Sequence, residues 1–417
     1  MTKIKTALKR FAGWKHAWLL TILIASMILH LGLMWFPKDL VLDEQYYVVS
    51  ARDYLVQGVL HQPEHPPLGK IIITAGMQIF GDNQFGWRFM PALFGVGSIF
   101  FFYLILRRLN LSNLATNLAT TMFAFENSIF TMASVAMLDI FNVFFMIAGL
   151  WAYLARKYPL AVLFLVMSTL VKLTGLLGIA IIGIHWLFFR RDKALQLALS
   201  GLVAYVVAIL AVPVMEFALT GEWSNPVNRA AQLFTIPATI TFANSSHPSA
   251  LHPWQWVLGY HVMPFWWTPQ YMSAVTPTVW AATIPVFTWT SWQAWRRRNE
   301  AALFAAAWIF ATLILWIIIG GITNRITYIF YFVPIVGGII LGLALFIDKA
   351  LGWAKRPRQL LLSMDNKPRF KDRFIAWSRR RNWKKIIGVG IVLFMAAHVI
   401  LFWVFSPFNW LWPIIHP

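Results

Sequence analysis

Residues 17–36 read AWLLTILIASMILHLGLMWF, and the polar stretch 37–47, PKDLVLDEQYY, follows them directly. An uninterrupted apolar run of about 20 residues has the length of one bilayer crossing as an α-helix. It is longer than the core of a signal peptide and has basic residues before it, so we expect an uncleaved first membrane helix. The neighbouring acids Asp43 and Glu44 then lie just beyond the end of that helix.

Apolar runs of similar length recur along the rest of the chain. The sequence is 59% hydrophobic and 12% charged, whereas soluble domains carry about 25% charged residues. We therefore predict an all-α polytopic membrane protein of about 11 transmembrane helices, the fifth and sixth separated by a break near residues 172–175. The predicted spans are 17–36, 87–106, 114–130, 137–155, 159–172, 174–189, 197–219, 274–294, 301–320, 326–347 and 386–405.

The basic residues are distributed unevenly between the segments that join these spans. The net charge of +20 resembles that of a nucleic-acid-binding protein, but 28 of the 35 Lys and Arg fall in segments on one side of the predicted membrane. The positive-inside rule makes that side cytoplasmic and places the N-terminus there. We therefore expect no nucleic-acid partner. Ten of the 15 acidic residues lie on or near the outer side, where we expect any carboxylate chemistry.

The predicted loops divide the chain into regions. Residues 1–347 form the predicted transmembrane catalytic domain, with a first outer loop at 37–86 and a second at 220–273. The apolar run 71–80 is too short to span and is expected to lie as a helix in the membrane interface. The basic segment 348–385 is expected to lie on the anionic lipids of the cytoplasmic leaflet. Residues 386–417 comprise the last span and an outer tail.

Several classes of chemistry are excluded or not supported. The chain has no cysteine, which excludes disulfides, thiolate metal sites and cysteine nucleophiles. Its histidines lack a zinc-ligand spacing, and no glycine-rich phosphate loop is present. We expect neither a metal nor a cofactor.

The first outer loop holds the most distinctive polar residues. One carboxylate of the Asp43–Glu44 pair is placed to accept a proton as a general base while the other supports it. The string 64–70, EHPPLGK, contains two prolines that fix the backbone. Such a rigid turn is suited to hold His65 and Lys70 beside Asp43. A solvated acidic loop and a helix-initiating proline turn are the alternatives.

Five further charged residues lie near the predicted outer ends of spans. Charges near membrane depth are costly and are usually paired or functional. Cations at this level suit a lipid phosphate, which Arg binds through two N–H groups and Lys as a point charge. Structural ion pairing, for instance of Arg88 with Asp139, is the alternative. The five residues are Arg88, Glu126, Asp139, Lys172 and Arg325.

Taken in order, these segments resemble the protein O-mannosyltransferase family of GT-C glycosyltransferases. The similarity is dense over residues 37–190 and thinner to about 347. The acid pair together with HPPLGK is the specific part of it. The matching strings are VLDEQYY (41–47), HPPLGK (65–70), FGDN (80–83), GWRF (86–89), PALFG (91–95), MLD (137–139), VKLTG (171–175), RITY (325–328) and YFVP (331–334).

The resemblance implies an activity and a set of site residues. Family members transfer mannose from a polyprenyl-phosphate mannose to Ser or Thr hydroxyls of proteins, with inversion. Asp43 matches the catalytic aspartate and Glu44 its acidic neighbour. Arg88, Lys172 and Arg325 match basic positions that we assign to the donor phosphate, and His65, Lys70, Glu126 and Asp139 are expected to support the site. Residues 220–273 are too few for the soluble MIR domain of fungal and animal relatives, as in the compact prokaryotic form.

Two other functions stay open on the sequence. One is a GT-C transfer of another lipid-linked sugar to a lipid or glycan, such as aminoarabinose to lipid A. The other is a lipid or sugar transporter, for which mid-membrane charges and internal repeats would be expected. The expected partners are a polyprenyl-phosphate-linked sugar, an acceptor protein or peptide, and membrane lipids. The sequence does not fix the polyprenol or the oligomeric state.

Overall fold

The computed structural model describes residues 16–190, 193–267, 271–355 and 383–411. The basic N-terminal tail, most of the basic segment predicted at 348–385 and the end of the predicted outer tail lie outside these ranges. The predicted division into domains therefore stays a prediction.

The described chain is almost entirely helical. The helices of its first half are α1 (Ala17–Leu33), α2 (Glu44–Gln57), α3 (Leu68–Phe80), α4 (Gln84–Arg108), α5 (Asn113–Ala124), α6 (Asn127–Ser134), α7 (Leu138–Leu154), α8 (Tyr158–Val171), α9 (Leu176–His185) and α10 (Ala194–Thr220). Those of the second half are α11 (Pro226–Ala238), α12 (Gln255–Leu258), α13 (Pro277–Arg297), α14 (Glu300–Ile309), α15 (Leu315–Thr323), α16 (Val333–Lys355) and α17 (Trp383–Phe405). A small antiparallel hairpin pairs β1 (Met263–Trp266) with β2 (Tyr271–Ser273).

Each predicted span contains a helix, but not every helix has the length and composition of a full crossing. Six helical stretches in the described residues do: 84–108, 173–190, 194–220, 300–323, 329–352 and 385–405. A seventh is obtained if α6 and α7, which meet at a bend of 118°, count as one broken span. The protein is therefore a multi-pass membrane protein, and the number of eleven spans stays a prediction.

The expected helix at 114–130 is interrupted in the structure. Helix α5 ends at Ala124 and α6 begins at Asn127. Glu126 causes the interruption, because its buried carboxylate caps α6 by accepting from Ile129 N at 3.0 Å and also accepts from Thr276 N at 2.7 Å. A side chain that binds backbone groups outside its own helix favours a new N-terminus over a continuous helix.

Central packing positions the polar loops at one end of the bundle. Helix α7 is buried along nearly its whole length and packs against α4 and α8. At one end, Tyr271 donates to Phe36 O (2.9 Å) and Phe242 N to Asn324 O (3.0 Å), so the loops after α1, α11 and α15 meet there. At the opposite end, Arg190 pairs with Glu300 at 2.7 Å. The candidate residues of the sequence therefore lie at the first end, which we call the Asp43 end.

Candidate active site

A fully buried ion pair fixes the first loop of the Asp43 end. The Arg88 guanidinium donates to both oxygens of Glu44, from Nε to Oε1 at 2.9 Å and from Nη2 to Oε2 at 2.7 Å. Neither side chain has exposed surface. Buried charges need such pairing, and the fork of Arg matches a carboxylate geometrically.

The same pair also binds the backbone around it. Arg88 donates to the carbonyl oxygens of Met34, Pro37 and Asp39 at 2.8–3.3 Å. Glu44 accepts from the N–H groups of Val41 (2.8 Å) and Ala136 (2.7 Å). Arg88 thus binds Glu44 and the loop backbone, whereas we had expected it to contact the donor phosphate or to pair with Asp139.

Asp43 directly precedes the buried Glu44, but its own environment is different. It is half-buried, and its carboxylate accepts no hydrogen bond from the residues that the structure describes. Burial raises the pKa of Asp43 to about 6; the charge of Lys172 opposes this rise, and the carboxylates of Asp139 and Glu64 add to it. A carboxylate with free oxygens and a pKa near neutrality is suited to accept a proton.

Lys172, whose charge acts on Asp43, lies at a break between two helices. The chain leaves α8 at Lys172 in an extended conformation, with φ −156° and ψ 137°, and resumes as a 3₁₀ turn at Leu173–Gly175. The predicted break at 172–175 is therefore confirmed. Lys172 Nζ donates to both oxygens of Asp139, at 2.8 and 2.9 Å, and lies 4.8 Å from the ring centre of Tyr331.

A cavity of about 280 Å³ opens beside these groups. Its polar end is lined by Glu64, His65, Lys172 and Arg325. Arg325 is half-buried, and its guanidinium has no hydrogen-bond or ion-pair partner within the described parts of the chain. The remaining walls are mainly apolar and come from α9, α11 and α15; they include Leu176, Leu177, Leu233, Phe234, Trp316 and Ile319. The cavity is therefore amphiphilic.

Lys70 holds the loop that brings His65 to the cavity. Its Nζ donates to the carbonyls of His61 (2.7 Å), Gln62 (2.9 Å) and His65 (3.3 Å), with only 3% of the residue exposed. Burial lowers the pKa of His65 well below its ordinary value, and the nearby cations Lys172, Lys70 and Arg325 lower it further. These effects favour the neutral imidazole of His65 at the polar end of the cavity.

The structure brings together only part of the predicted set. His65, Lys172 and Arg325 line the cavity, and Asp43 lies close enough to Lys172 and Glu64 for their charges to act on its pKa. Asp139 binds Lys172, and Lys70 binds the loop that carries His65. Glu126 is not in this group, because its carboxylate caps α6 and binds the start of α13. Glu64 and Tyr331 also line the cavity but were not predicted as site residues, although both lie within the strings EHPPLGK and YFVP. No sequence signal indicated the wall formed by α11.

Comparisons with known proteins agree with this architecture. The family model described as "Dolichyl-phosphate-mannose-protein mannosyltransferase" matches residues 18–226. The polyprenol-phosphate-mannose–protein mannosyltransferase of Mycobacterium tuberculosis is 34% identical over 157 residues, which cover 36% of this chain and 30% of that protein. The Corynebacterium glutamicum protein of the same name is 24% identical over 410 residues, covering 76% and 78%. The match to the first relative thus spans less than a third of that relative's length.

Solved structures share the fold at low sequence identity. The Saccharomyces cerevisiae protein O-mannosyltransferase Pmt1-Pmt2 complex bound to the sugar donor matches with a TM-score of 0.73 and 10% identity, covering 95% of this chain and 90% of that one. ArnT from Cupriavidus metallidurans matches with a TM-score of 0.56 and 18% identity, covering 94% and 76%. The predicted all-α, GT-C type membrane fold is confirmed. Since the family model spans about half of its residues, the chain belongs to the dolichyl-phosphate-mannose–protein mannosyltransferase family.

Proposed function

We propose that this protein transfers mannose from a polyprenyl-phosphate mannose to Ser or Thr hydroxyls of an acceptor protein. The observation that carries the proposal is the amphiphilic cavity lined by Lys172 and Arg325, whose lining residues Lys172 and Glu64 interact electrostatically with Asp43. Its cationic end matches a phosphate and its apolar walls match a prenyl chain. The names of the relatives, which specify a polyprenol-phosphate-mannose donor and a protein acceptor, support the same assignment.

The reaction follows from the positions of these groups. The acceptor hydroxyl oxygen attacks C1 of the mannose while its proton passes to the Asp43 carboxylate. The bond from C1 to the phosphate oxygen breaks on the opposite face, so the anomeric centre inverts. Lys172 and Arg325 stabilise the negative charge that the departing lipid phosphate gains. In this scheme Glu44 and Arg88 position Asp43 and do not contact the sugar.

The proposed location of the reaction is the non-cytoplasmic face. Seven of the 35 Lys and Arg belong to the Asp43 end, whereas the other 28 belong to segments predicted on the opposite side, where Arg108 and Arg190 both donate to Leu154 O. The positive-inside rule assigns that opposite end to the cytoplasm.

A transfer assay on the purified full chain tests the function. Labelled polyprenyl-phosphate mannose is supplied with a Ser/Thr-containing peptide, with the same peptide carrying Ala at those positions, and with membrane lipids as acceptors. We expect label on the Ser/Thr peptide only. Label on the lipid alone would replace the proposed acceptor by a lipid, and no consumption of this donor would exclude mannosyl transfer.

The transfer rate should depend on pH through Asp43. The base form is the carboxylate, so kcat/KM should rise with pH and level off above the pKa of about 6. Below that pH it should fall about tenfold per unit, because only the deprotonated fraction accepts the proton. The lowered pKa of His65 favours its neutral form, so the neutral imidazole is the form expected at neutral pH. Initial rates in overlapping buffers measure this, and a flat profile between about pH 5 and 8 would remove Asp43 as the base.

Removing a cation from the cavity should weaken donor use more than acceptor use. Hydrogen bonds to charged groups contribute about 1.5–3 kcal/mol, so Arg325→Ala and Lys172→Ala should each raise the donor KM about tenfold to a hundredfold. The acceptor KM should change little. Arg52→Ala is a matched control, because Arg52 is an exposed cation paired with Asp82 at the same end of the bundle. Unchanged donor kinetics in both cavity variants would place the phosphate elsewhere.

A further inference from the structure

Arg229 joins three separate elements beside the cavity. Its guanidinium donates to both oxygens of Glu216 on α10, at 2.8–3.0 Å, and to the carbonyl of Pro63 at 2.8 Å. The residue itself lies on α11 and is 6% exposed. One buried side chain therefore connects α10, α11 and the loop that carries Glu64 and His65.

The position of Arg229 on α11 links it to the cavity wall. The buried residues of this helix are Arg229, Leu233 and Pro237, which are spaced by four residues and so share one face. Leu233 and Pro237 line the cavity. Arg229 lies one turn further along the same face, where it reaches the backbone of the loop.

The loop needs such a contact to keep its side chains in place. Residues 61–65 lie between α2 and α3, and Gln62 has a positive φ of 57°. Lys70 donates hydrogen bonds to the carbonyl oxygens of His61, Gln62 and His65, and Arg229 donates to that of Pro63. These hydrogen bonds hold four carbonyl groups of the loop in place, and Glu64 and His65 of the same loop line the cavity.

Arg229 is not the best choice for a purely structural ion pair. Its Nη1 is buried without a hydrogen-bond partner among the described residues. The same holds for Oε1 of Gln62, which precedes Pro63, and for Oγ of Ser224. An unsatisfied buried donor destabilises a fold, and apolar residues commonly replace buried pairs without loss. The contacts of the guanidinium with both Glu216 and Pro63 point instead to a role in linking the wall to the loop.

We propose that Arg229 is a positioning residue that transmits occupancy of the cavity wall to the 61–65 loop. In this proposal the prenyl chain of the donor contacts Leu233 and Phe234 and so fixes the position of α11. Because Arg229 on α11 binds Pro63 O, the position of α11 also fixes the loop that carries Glu64 and His65. Binding energy from the remote chain then raises kcat and not only affinity. This inference rests on the proposed function and adds that donors with a long prenyl chain are turned over faster.

The test compares a long-chain polyprenyl-phosphate mannose with a truncated one, using the full chain in detergent. In the unaltered protein, kcat should be higher with the long-chain donor. Arg229→Lys keeps the charge, but its three donors on one nitrogen cannot reproduce the four hydrogen bonds that Arg229 makes from two nitrogens. The link between Glu216 and Pro63 should therefore weaken, and kcat with the long-chain donor should fall about tenfold, to the value for the truncated donor. The ratio of the two KM values should persist, because the apolar wall is intact. A merely structural role would lower both kcat values equally.

The controls separate this inference from the function itself. Arg52→Lys, which alters another two-point Arg–carboxylate pair, should keep the chain-length dependence of kcat. If Arg229→Lys does not purify as a folded protein, Glu216→Gln serves instead, since Arg229 then loses the partner that orients it. Persistence of the original kcat ratio in the altered protein, or absence of any kcat dependence in the unaltered protein, overturns the role of Arg229. Failure of the unaltered protein to transfer from either donor overturns the proposed function.

Discussion

Replacing Asp43 by asparagine should reduce turnover about 10²–10⁴-fold, the range that a positioned general base contributes. The amide has nearly the shape of the carboxylate but cannot accept the proton of the acceptor hydroxyl. The side chain of Asp43 has no hydrogen-bond partner in the described part of the chain, so no internal contact is lost. Burial raises the pKa of the Asp43 carboxylate, so above that pKa its charge destabilises the fold, and the neutral amide should leave folding stability unchanged or higher. The donor KM should move much less than kcat. Initial transfer rates and thermal unfolding of the purified variant measure both quantities.

Asp53→Asn is the matched control for this substitution. Asp53 lies on α2, the helix that begins directly after Asp43. It pairs with His61 at 3.0 Å and does not line the cavity. Its replacement should leave turnover within about twofold, because partly exposed ion pairs contribute little. Near-normal turnover of Asp43→Asn, or a loss confined to donor binding, would contradict the role given to Asp43.

Four of the residues selected from the sequence lie close enough together in the structure to interact electrostatically. Lys172 and Arg325 were selected because each lies near the predicted outer end of an apolar run, and such ends meet in a bundle of antiparallel spans. Asp43 was selected as part of the acid pair in the first outer loop, and His65 as part of the HPPLGK string in the same loop. Hydropathy also predicted the helix break at Lys172. These features are local, so they follow from residue type and spacing alone.

The pairing of the charges could not be predicted in this way. Arg88 binds Glu44, 44 positions earlier, and Lys172 binds Asp139, whereas the sequence offered Arg88 with Asp139 as an example. To choose between these pairings one must know how each helix is oriented about its own axis. A long apolar run with little amphipathic pattern does not specify that orientation. The contribution of α11 was missed for a related reason: its wall residues Leu233 and Phe234 are ordinary apolar residues in a segment predicted as a loop.

Substitution of Arg88 should be the most damaging single change to the fold. Arg88→Met leaves the Glu44 carboxylate buried and unpaired, and it removes the donors to the carbonyls of Met34, Pro37 and Asp39. Breaking a buried pair by removing one partner costs about 3–5 kcal/mol. We expect a loss of that size in the free energy of unfolding, measured by denaturant titration in detergent micelles. Arg52→Met, at an exposed pair, should cost about 0–1 kcal/mol.

Arg88→Lys distinguishes positioning from phosphate binding. If Arg88 bound the donor phosphate, lysine would retain a point charge there, and the main defect would be a higher donor KM. If Arg88 positions the loop, lysine cannot meet both oxygens of Glu44 and three carbonyls at once, so stability and kcat should fall together. The donor KM should then stay close to that of the unaltered protein. Because Arg88 has no exposed surface and all its contacts are internal, we expect the second result; a variant of normal stability with a raised donor KM would return Arg88 to the phosphate site.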